Sequence, residues 1–165
     1  MLQTLVVSLV ISRLDYGNAV LAGLPAYQLR RLQSVLNAAA RLVFGLRGSD
    51  HISSSLASLH WLRVRERIQY KIAVLAYRAQ NGLAPRYLAD DIHRVADIES
   101  RRRLRSSHSN RLTAPVCRLA LSSAAFPVAA PGVWNALPEH VTSSPSLDLF
   151  KSRLKTFLFG RSFPS

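Results

Sequence analysis

Apolar residues recur at spacings of three and four positions along most of the chain, which is the pattern of α-helices with one buried side. The longest such run lies at 64–81, and its buried side would carry Val64, Ile68, Ile72, Leu75 and Ala79. Gly82 follows, and glycine accepts the left-handed backbone that ends many helices. Pro85 then prevents any continuation. We therefore predict one long central helix over 64–81.

A second long helix is predicted to begin near Pro25 and to run to about Phe44. Proline is common in the first turn of a helix, and Gly45 and Gly48 would close the carboxyl end. The apolar positions of this helix are Leu29, Leu32, Leu36, Ala39, Val43 and Leu46.

Shorter elements surround these two helices. The apolar run at 2–11 predicts a short buried helix, although its β-branched residues leave a strand as the alternative. Asp50 is expected to cap a third helix, and a further helix is expected over 85–95. Ser144 and Pro145 are the expected N-cap and first-turn proline of a last helix.

The stretch between these helices is harder to assign. Positions 112–119 alternate loosely and predict a strand, whereas 122–134 is rich in small residues and fits no single pattern. The predicted fold class is therefore mainly α. It is a helical bundle around a long central helix, with a small β or irregular element near 112–135 and a C-terminal helix.

Arginines crowd the stretch that precedes this uncertain element. Few apolar residues accompany them, and such composition is typical of a linker. The arginines are Arg101, Arg102, Arg103, Arg105 and Arg111. We predict a helical region at 1–95, a basic linker at 96–111 and a C-terminal subdomain at 112–165.

The whole chain is strongly basic, with 22 Lys and Arg residues against 9 Asp and Glu residues and a formal net charge of +13. Such charge favours nucleic acid or an anionic membrane as partner, because binding releases condensed counterions. The plain alternative is an ordinary basic surface. On the long helix, Arg67, Lys71 and Arg78 share a side beside the apolar positions. Tyr70 or Tyr77 would lie near enough to contact a sugar or a base.

Catalytic and metal-binding motifs are absent from the sequence. Asp90 and Asp91 follow Tyr87, but two residues separate the tyrosine from the paired aspartates, where a polymerase metal motif has one. The 5 histidines lack metal-ligand spacing, and the serines form no nucleophile elbow. We predict no enzyme activity, no catalytic residue, no metal and no cofactor.

The cysteine count and the N-terminal stretch indicate where in the cell the protein is expected. One cysteine, Cys117, excludes an internal disulfide framework and favours a reducing compartment. The apolar opening lacks preceding cations and meets Arg13 and Asp15 too soon to span a bilayer. We expect a nuclear or cytoplasmic protein with no signal peptide and no membrane partner.

Several short motifs follow one another along nearly the whole chain. They are SRLDYGN (12–18) with GLP (23–25), Gln33 with NAAARL (37–42), LHWL (59–62), GLAP (82–85) with Tyr87 and Leu88, AAP (129–131) with WNALP (134–138), and Phe150 with Lys151. Each is weak alone, and their joint order is specific. Together they resemble the C-terminal part of the reverse-transcriptase polyproteins of non-LTR retrotransposons (LINEs), of the chicken-repeat and jockey-like kind.

This resemblance implies a fragment of an RNA-directed DNA polymerase. The endonuclease and the palm with its metal-binding aspartates would be missing, so Met1 would lie inside the parent reading frame. The first helical region is similar to the polymerase thumb, and its helix near 25–44 would lie along the template–primer duplex. The implied partners are RNA or RNA/DNA hybrid, bound non-specifically, and the remaining polymerase domains.

The expected nucleic-acid contacts combine this implication with the charge pattern. Gln33, Asn37 and Arg41 lie on or near one face of the thumb-like helix and are the first choice. The complete set is Gln33, Asn37, Arg41, Arg67, Lys71, Arg78, Arg101, Arg102, Arg103 and Arg105.

Two positions depart from the family pattern. Gly17 stands where many relatives have cysteine, and Arg63 stands where they usually have proline, which would let the long helix start earlier. Both fit a drifting copy of a mobile element. The alternative is therefore a non-functional relic with no selected activity. Its uncovered apolar residues, such as Leu5, Leu9 and Leu21, would favour aggregation.

Overall fold

The computed structural model describes residues 2–97, 110–113 and 126–164, and these residues are mainly helical. In chain order the α-helices are α1 (Leu2–Val6), α2 (Ser12–Asp15), α3 (Ala26–Phe44), α4 (Ser53–Ser58), α5 (Val64–Gln80), α6 (Arg86–Ala89), α7 (Phe126–Asn135), α8 (Glu139–Thr142) and α9 (Leu147–Ser162). A π turn at Val7–Ile11 joins α1 to α2, and 3-10 turns lie at Asn18–Gly23 and Val95–Asp97. The described ranges contain no β-strand, and one isolated antiparallel bridge pairs Arg94 with Leu112.

Helix α5 is the centre of the fold, as predicted. It packs against the 3-10 turn Asn18–Gly23 and against α3, α6, α7 and α9. Its buried residues therefore extend around more than one side, and Gly82 follows the helix with φ of 68°. The buried residues are Val64, Glu66, Ile68, Ile72, Ala73, Ala76, Tyr77 and Ala79. The helix begins at Val64 as predicted, and Arg63 lies just before it with extended backbone, so Arg63 does not lengthen the helix.

The predicted second helix is confirmed as α3. It buries Leu36, Ala39 and Ala40. Gly45 has φ of 62°, and its N–H donates to the carbonyl oxygen of Arg41, so a left-handed glycine closes the helix.

Three predicted helix details were wrong. Asp50 does not cap α4, because its carboxylate accepts the N–H of Arg47 at 2.7 Å. The helix expected over 85–95 spans only Arg86–Ala89. The last helix is capped by Ser146, whose Oγ accepts the Leu149 N–H at 3.3 Å, rather than by Ser144.

The uncertain element near 112–135 is helical in its second half. Phe126–Asn135 forms α7 although Pro131 lies inside it. Ala130, Pro131 and Trp134 are buried, so packing against the core outweighs the poor helix propensity of this sequence. The structure therefore corrects the expected β or irregular element over these residues. Most of the strand expected at 112–119, namely 114–119, lies outside the described residues.

One hydrophobic core draws on residues from both ends of the chain. Leu36 and Ile72 share it with Phe150 and Leu154. The buried carboxylate of Glu66 on α5 also faces Arg161 of α9 at 3.8 Å. The division into two units at 1–95 and 112–165 stays a prediction, and the basic linker lies mostly outside the described residues.

Candidate nucleic-acid interface

Two of the predicted cations border a pocket of about 190 Å³ that we call the cationic pocket. Four parts of the chain form its wall: the end of α2, the loop before α5, α5 itself and α9. Its lining residues are Asp15, His60, Leu62, Arg67, Tyr70, Lys71 and Lys155.

Helical periodicity places three of these side chains together. Arg67, Tyr70 and Lys71 follow the i, i+3, i+4 spacing, so they project from one side of α5. Lys155 joins them because α9 packs against α5. The pocket thus combines a local pattern with a tertiary contact between helices that lie far apart in the sequence.

A paired ion bridge fixes one wall of the pocket. The Arg67 guanidinium donates from Nε to Asp15 Oδ1 at 2.9 Å and from Nη2 to Oδ2 at 2.7 Å. The side chains are only 15% and 24% exposed, so solvent screens this pair less than a surface pair. The bridge ties α2 to α5 and holds the guanidinium in place.

Tyr70 adds a hydroxyl group to the pocket. Burial raises the pKa of Tyr70 above its ordinary value, because the ionised phenolate is poorly solvated there. The hydroxyl therefore stays protonated at neutral pH. Within the described ranges this hydroxyl makes no hydrogen bond, so it remains available as a donor.

His60 lines the pocket from a strained backbone. Its φ of 54° is the left-handed conformation, which is uncommon for residues other than glycine. The N–H of His60 donates to Ala57 at 2.9 Å, and its ring lies 5.7 Å from the ring of Phe159. Contact with α9 thus helps to hold this conformation.

The first-choice residues on the thumb-like helix have internal partners. Gln33 Oε1 accepts the Val64 N–H at 2.9 Å, and Gln33 Nε2 donates to Asn37 Oδ1 at 2.8 Å. Arg41 is half-buried, and its Nη2 donates to the Asp50 carbonyl oxygen at 3.5 Å. These three residues do not line the cationic pocket, and their role in nucleic-acid binding stays a prediction.

The remaining predicted contacts differ in their surroundings. Lys71 and Arg78 are exposed on α5, and Arg78 does not line the pocket. Tyr77 is only 4% exposed and donates its hydroxyl to the Ser144 carbonyl oxygen at 2.9 Å, so the expected sugar or base contact by Tyr77 was wrong. The predicted contacts outside the described residues are Arg101, Arg102, Arg103 and Arg105.

Sequence reasoning missed the pocket as a unit. It found Arg67 and Lys71 because their spacing is local. Asp15, His60 and Lys155 join them only through the packing of α2 and α9 on the central region. Lys155 lies on the last helix, and no sequence pattern connects it to α5.

Metal-binding clusters and membrane-spanning helices are both absent from the part of the chain that the structure describes. No cluster of three or more His, Cys, Asp or Glu side chains with metal-binding geometry occurs there. None of its helices has the length and apolar character needed to cross a bilayer.

Comparison of the chain with protein-family models, with curated proteins and with solved structures gives no match in any of the three.

Proposed function

We propose that this chain binds RNA or RNA/DNA hybrid without base preference, as a helical segment of a LINE-type reverse transcriptase. The supporting observation is the convergence of Arg67, Lys71 and Lys155 on one pocket in a chain of net charge +13. The ordered motifs support the parent class. The segment itself has no polymerase activity in this proposal.

The spacing of cations on α5 fits contact with a phosphate backbone. Lys71 and Arg78 are seven residues apart and lie on the same side of the helix, about 10 Å apart along its axis. Successive phosphates of one strand advance by about 3.4 Å along the axis of B-form DNA and by less in an A-like hybrid, so the two side chains would contact phosphates a few nucleotides apart. Phosphate contacts carry no sequence information, which explains the expected lack of base preference.

Fluorescence anisotropy with a labelled RNA/DNA hybrid tests the proposal across a salt series. We expect affinity to fall steeply with salt, because each neutralised phosphate releases counterions. The double variant Lys71→Gln and Arg78→Gln should reduce the slope of log K against log salt by about 2. Lys151→Gln on α9 is the matched control, since Lys151 pairs with Asp148 at 3.5 Å and does not line the pocket. Affinity that ignored salt would contradict the proposal.

A second variant set locates the contact. Replacement of Arg101, Arg102, Arg103 and Arg105 with glutamine removes the predicted linker contacts while the cationic pocket keeps its charges. If this variant alone lost binding, the interface would be assigned to the linker arginines. If only the α5 variants lost binding, it would be assigned to α5.

A non-functional relic is the second candidate, and exposed apolar residues favour it. Leu5 is 52% exposed and Leu9 is 68% exposed, whereas Leu21 is half-buried against the core. A relic would show no binding to the hybrid at low salt and would aggregate. A monomeric protein with a cooperative unfolding transition would count against this candidate.

A further inference from the structure

The size of the cationic pocket restricts what it can hold. Its volume of about 190 Å³ is below the roughly 300–1,000 Å³ of typical small-molecule sites. The pocket can hold a compact group, such as a phosphate with the first atoms of its sugar.

The charge of the pocket selects among compact groups. Among the described residues that line the pocket, three cations, Arg67, Lys71 and Lys155, accompany one carboxylate, that of Asp15, which gives an excess of two positive charges without His60. A phosphomonoester carries a charge of about −1.5 to −2 at pH 7, whereas a phosphodiester within a strand carries −1. The pocket thus matches the charge of a terminal phosphate more closely than that of an internal one.

The arrangement of donors gives the same preference. The ammonium groups come from α5 and α9, and Tyr70 of α5 adds a hydroxyl donor to the same pocket. The Arg67 guanidinium offsets the negative charge of Asp15 at 2.7 Å and is held in place by it. A terminal phosphate has three free oxygens for donors on several sides, whereas an internal phosphate has only two and must let the strand leave the pocket.

We propose that the cationic pocket binds a terminal phosphomonoester, and this inference rests on the proposed function. Two sources carry this chemistry, the phosphorylated end of a nucleic-acid strand and a free mononucleotide. The pocket would then add a preference for strand ends to the non-specific binding of the basic surface.

The test compares short RNA strands of one sequence that differ only at their ends. One carries a 5′-phosphate, one a 3′-phosphate and one only hydroxyl groups, and binding is measured by anisotropy at fixed salt. We expect at least one of the two phosphorylated strands to bind about tenfold more tightly than the hydroxyl strand, because its terminal phosphate adds charge-assisted hydrogen bonds. Inorganic phosphate should remove this preference by competition.

Three variants assign the preference to the pocket. Lys155→Gln and Tyr70→Phe should each reduce the preference for the phosphorylated strand, and Lys151→Gln should leave it unchanged. Lys155 is exposed, so its replacement should leave the thermal unfolding midpoint unchanged. A nucleoside 5′-monophosphate distinguishes the two sources. If the protein binds it more weakly than it binds the phosphorylated strand, the site is assigned to strand ends. If the two affinities are equal, the site is assigned to free mononucleotides.

The failures of the two proposals have different signatures. Equal, salt-sensitive binding of all three strands would overturn the terminal-phosphate inference and leave the proposed function in place. A preference that persisted in both Lys155→Gln and Tyr70→Phe would also overturn it. No binding of any strand at low salt would overturn the proposed function as well.

Discussion

Gln33 joins two helices through its amide group. Its Oε1 accepts the Val64 N–H at 2.9 Å, at the first residue of α5. The first N–H groups of a helix have no partner within the helix, so a side chain that accepts one of them acts as a cap. Gln33→Ala should therefore lower the free energy of unfolding by about 1–2 kcal/mol, as measured by chemical denaturation.

The control for this change is Ser34→Ala on the same helix. The Ser34 hydroxyl is exposed and donates to the Arg31 carbonyl oxygen at 2.8 Å, so its loss should change stability by less than about 0.5 kcal/mol. Folded Gln33→Ala protein should bind the RNA/DNA hybrid as wild type does. A loss of affinity without a loss of stability would instead favour the direct contact that the sequence suggested.

Arg63 has a backbone conformation that proline can adopt. Its φ is −62° and its ψ is 158°, and its N–H donates no hydrogen bond within the described ranges. Proline restricts the unfolded chain, so Arg63→Pro should be more stable than Arg63→Ala by about 0.4–1 kcal/mol in thermal unfolding. Both variants lose the contacts of Arg63 with Ser53 and Phe163, so their difference isolates the backbone effect. Equal stability of the two variants would contradict this expectation.

Tyr70 should make stability sensitive to high pH. Burial raises the pKa of its hydroxyl in the folded protein above the ordinary value of 10.0. The unfolded chain therefore loses this proton first. The stabilising contribution is complete below the ordinary value and is lost as pH rises through the raised value. Between about pH 9 and 11, wild type should lose more thermal stability than Tyr70→Phe. The exposed Tyr87 supplies the control, since Tyr87→Phe should follow wild type.

At the scale of elements, an aromatic cluster joins α5, α7 and α9. The rings of Tyr77 and Phe150 stack with their centroids 4.4 Å apart. The centroid of the Trp134 ring lies 5.7 Å from the centroid of the Phe150 ring. Phe150 is fully buried. Contacts of this kind add to the free energy of burial, so the cluster helps to link the central helix to the C-terminal helices.

Removal of the central ring should loosen this link. Phe150→Ala leaves a cavity among three helices and should lower the free energy of unfolding by about 3–5 kcal/mol in a denaturant titration. Leu149, the preceding residue on α9, is 38% exposed, and Leu149→Ala should have a much smaller effect. A similar loss in both variants would mean that Phe150 is not a centre of packing.

The predictability of an element from the sequence depends on how local its signals are. Helices α3 and α5 were predicted because long apolar periodicity and a following left-handed glycine indicate the same ends. Helix α7 was not predicted, because Pro131 and Gly132 oppose a helix and only tertiary burial favours it. The cap of α9 was misplaced by two residues, because Ser144 and Ser146 are chemically equivalent in sequence.

In the candidate site, too, the local features were predictable and the tertiary contacts were not. Arg67 and Lys71 share one helix and one side, so periodicity places them together. The partnership of Arg67 with Asp15 spans 52 positions, and the approach of Lys155 depends on how α9 packs. Contacts between residues so far apart in the chain depend on how the helices pack in the core, and the packing cannot be derived from a single sequence.

At the scale of the whole molecule, exposed apolar residues accompany the basic surface. Leu2, Leu5 and Leu9 are between 47% and 68% exposed at the start of the chain. Exposed apolar groups of this kind favour association with other surfaces. Two copies of the molecule therefore repel each other through their net charge, and they attract each other through their exposed apolar residues.

Salt should therefore promote self-association. Screening weakens the repulsion due to the net charge of +13, while apolar contacts remain. We expect the sedimentation coefficient to rise with protein concentration at high salt, and Leu5→Gln with Leu9→Gln to reduce this rise. Leu83→Gln, at a residue that is 55% exposed elsewhere on the molecule, should not. A protein that stayed monomeric at every salt concentration would contradict this expectation.

Helix α5 has one further consequence, which concerns synthesis on the ribosome. The Tyr77 ring and hydroxyl find their partners at Phe150 and Ser144, far later in the chain. At about 5–20 residues per second, roughly 3–13 seconds separate the synthesis of Gln80 from that of Leu147. During this interval α5 has been synthesised, but α9, which packs against it in the folded protein, has not. Translation speed between these two helices should therefore influence how much of the protein escapes proteases and reaches its folded state.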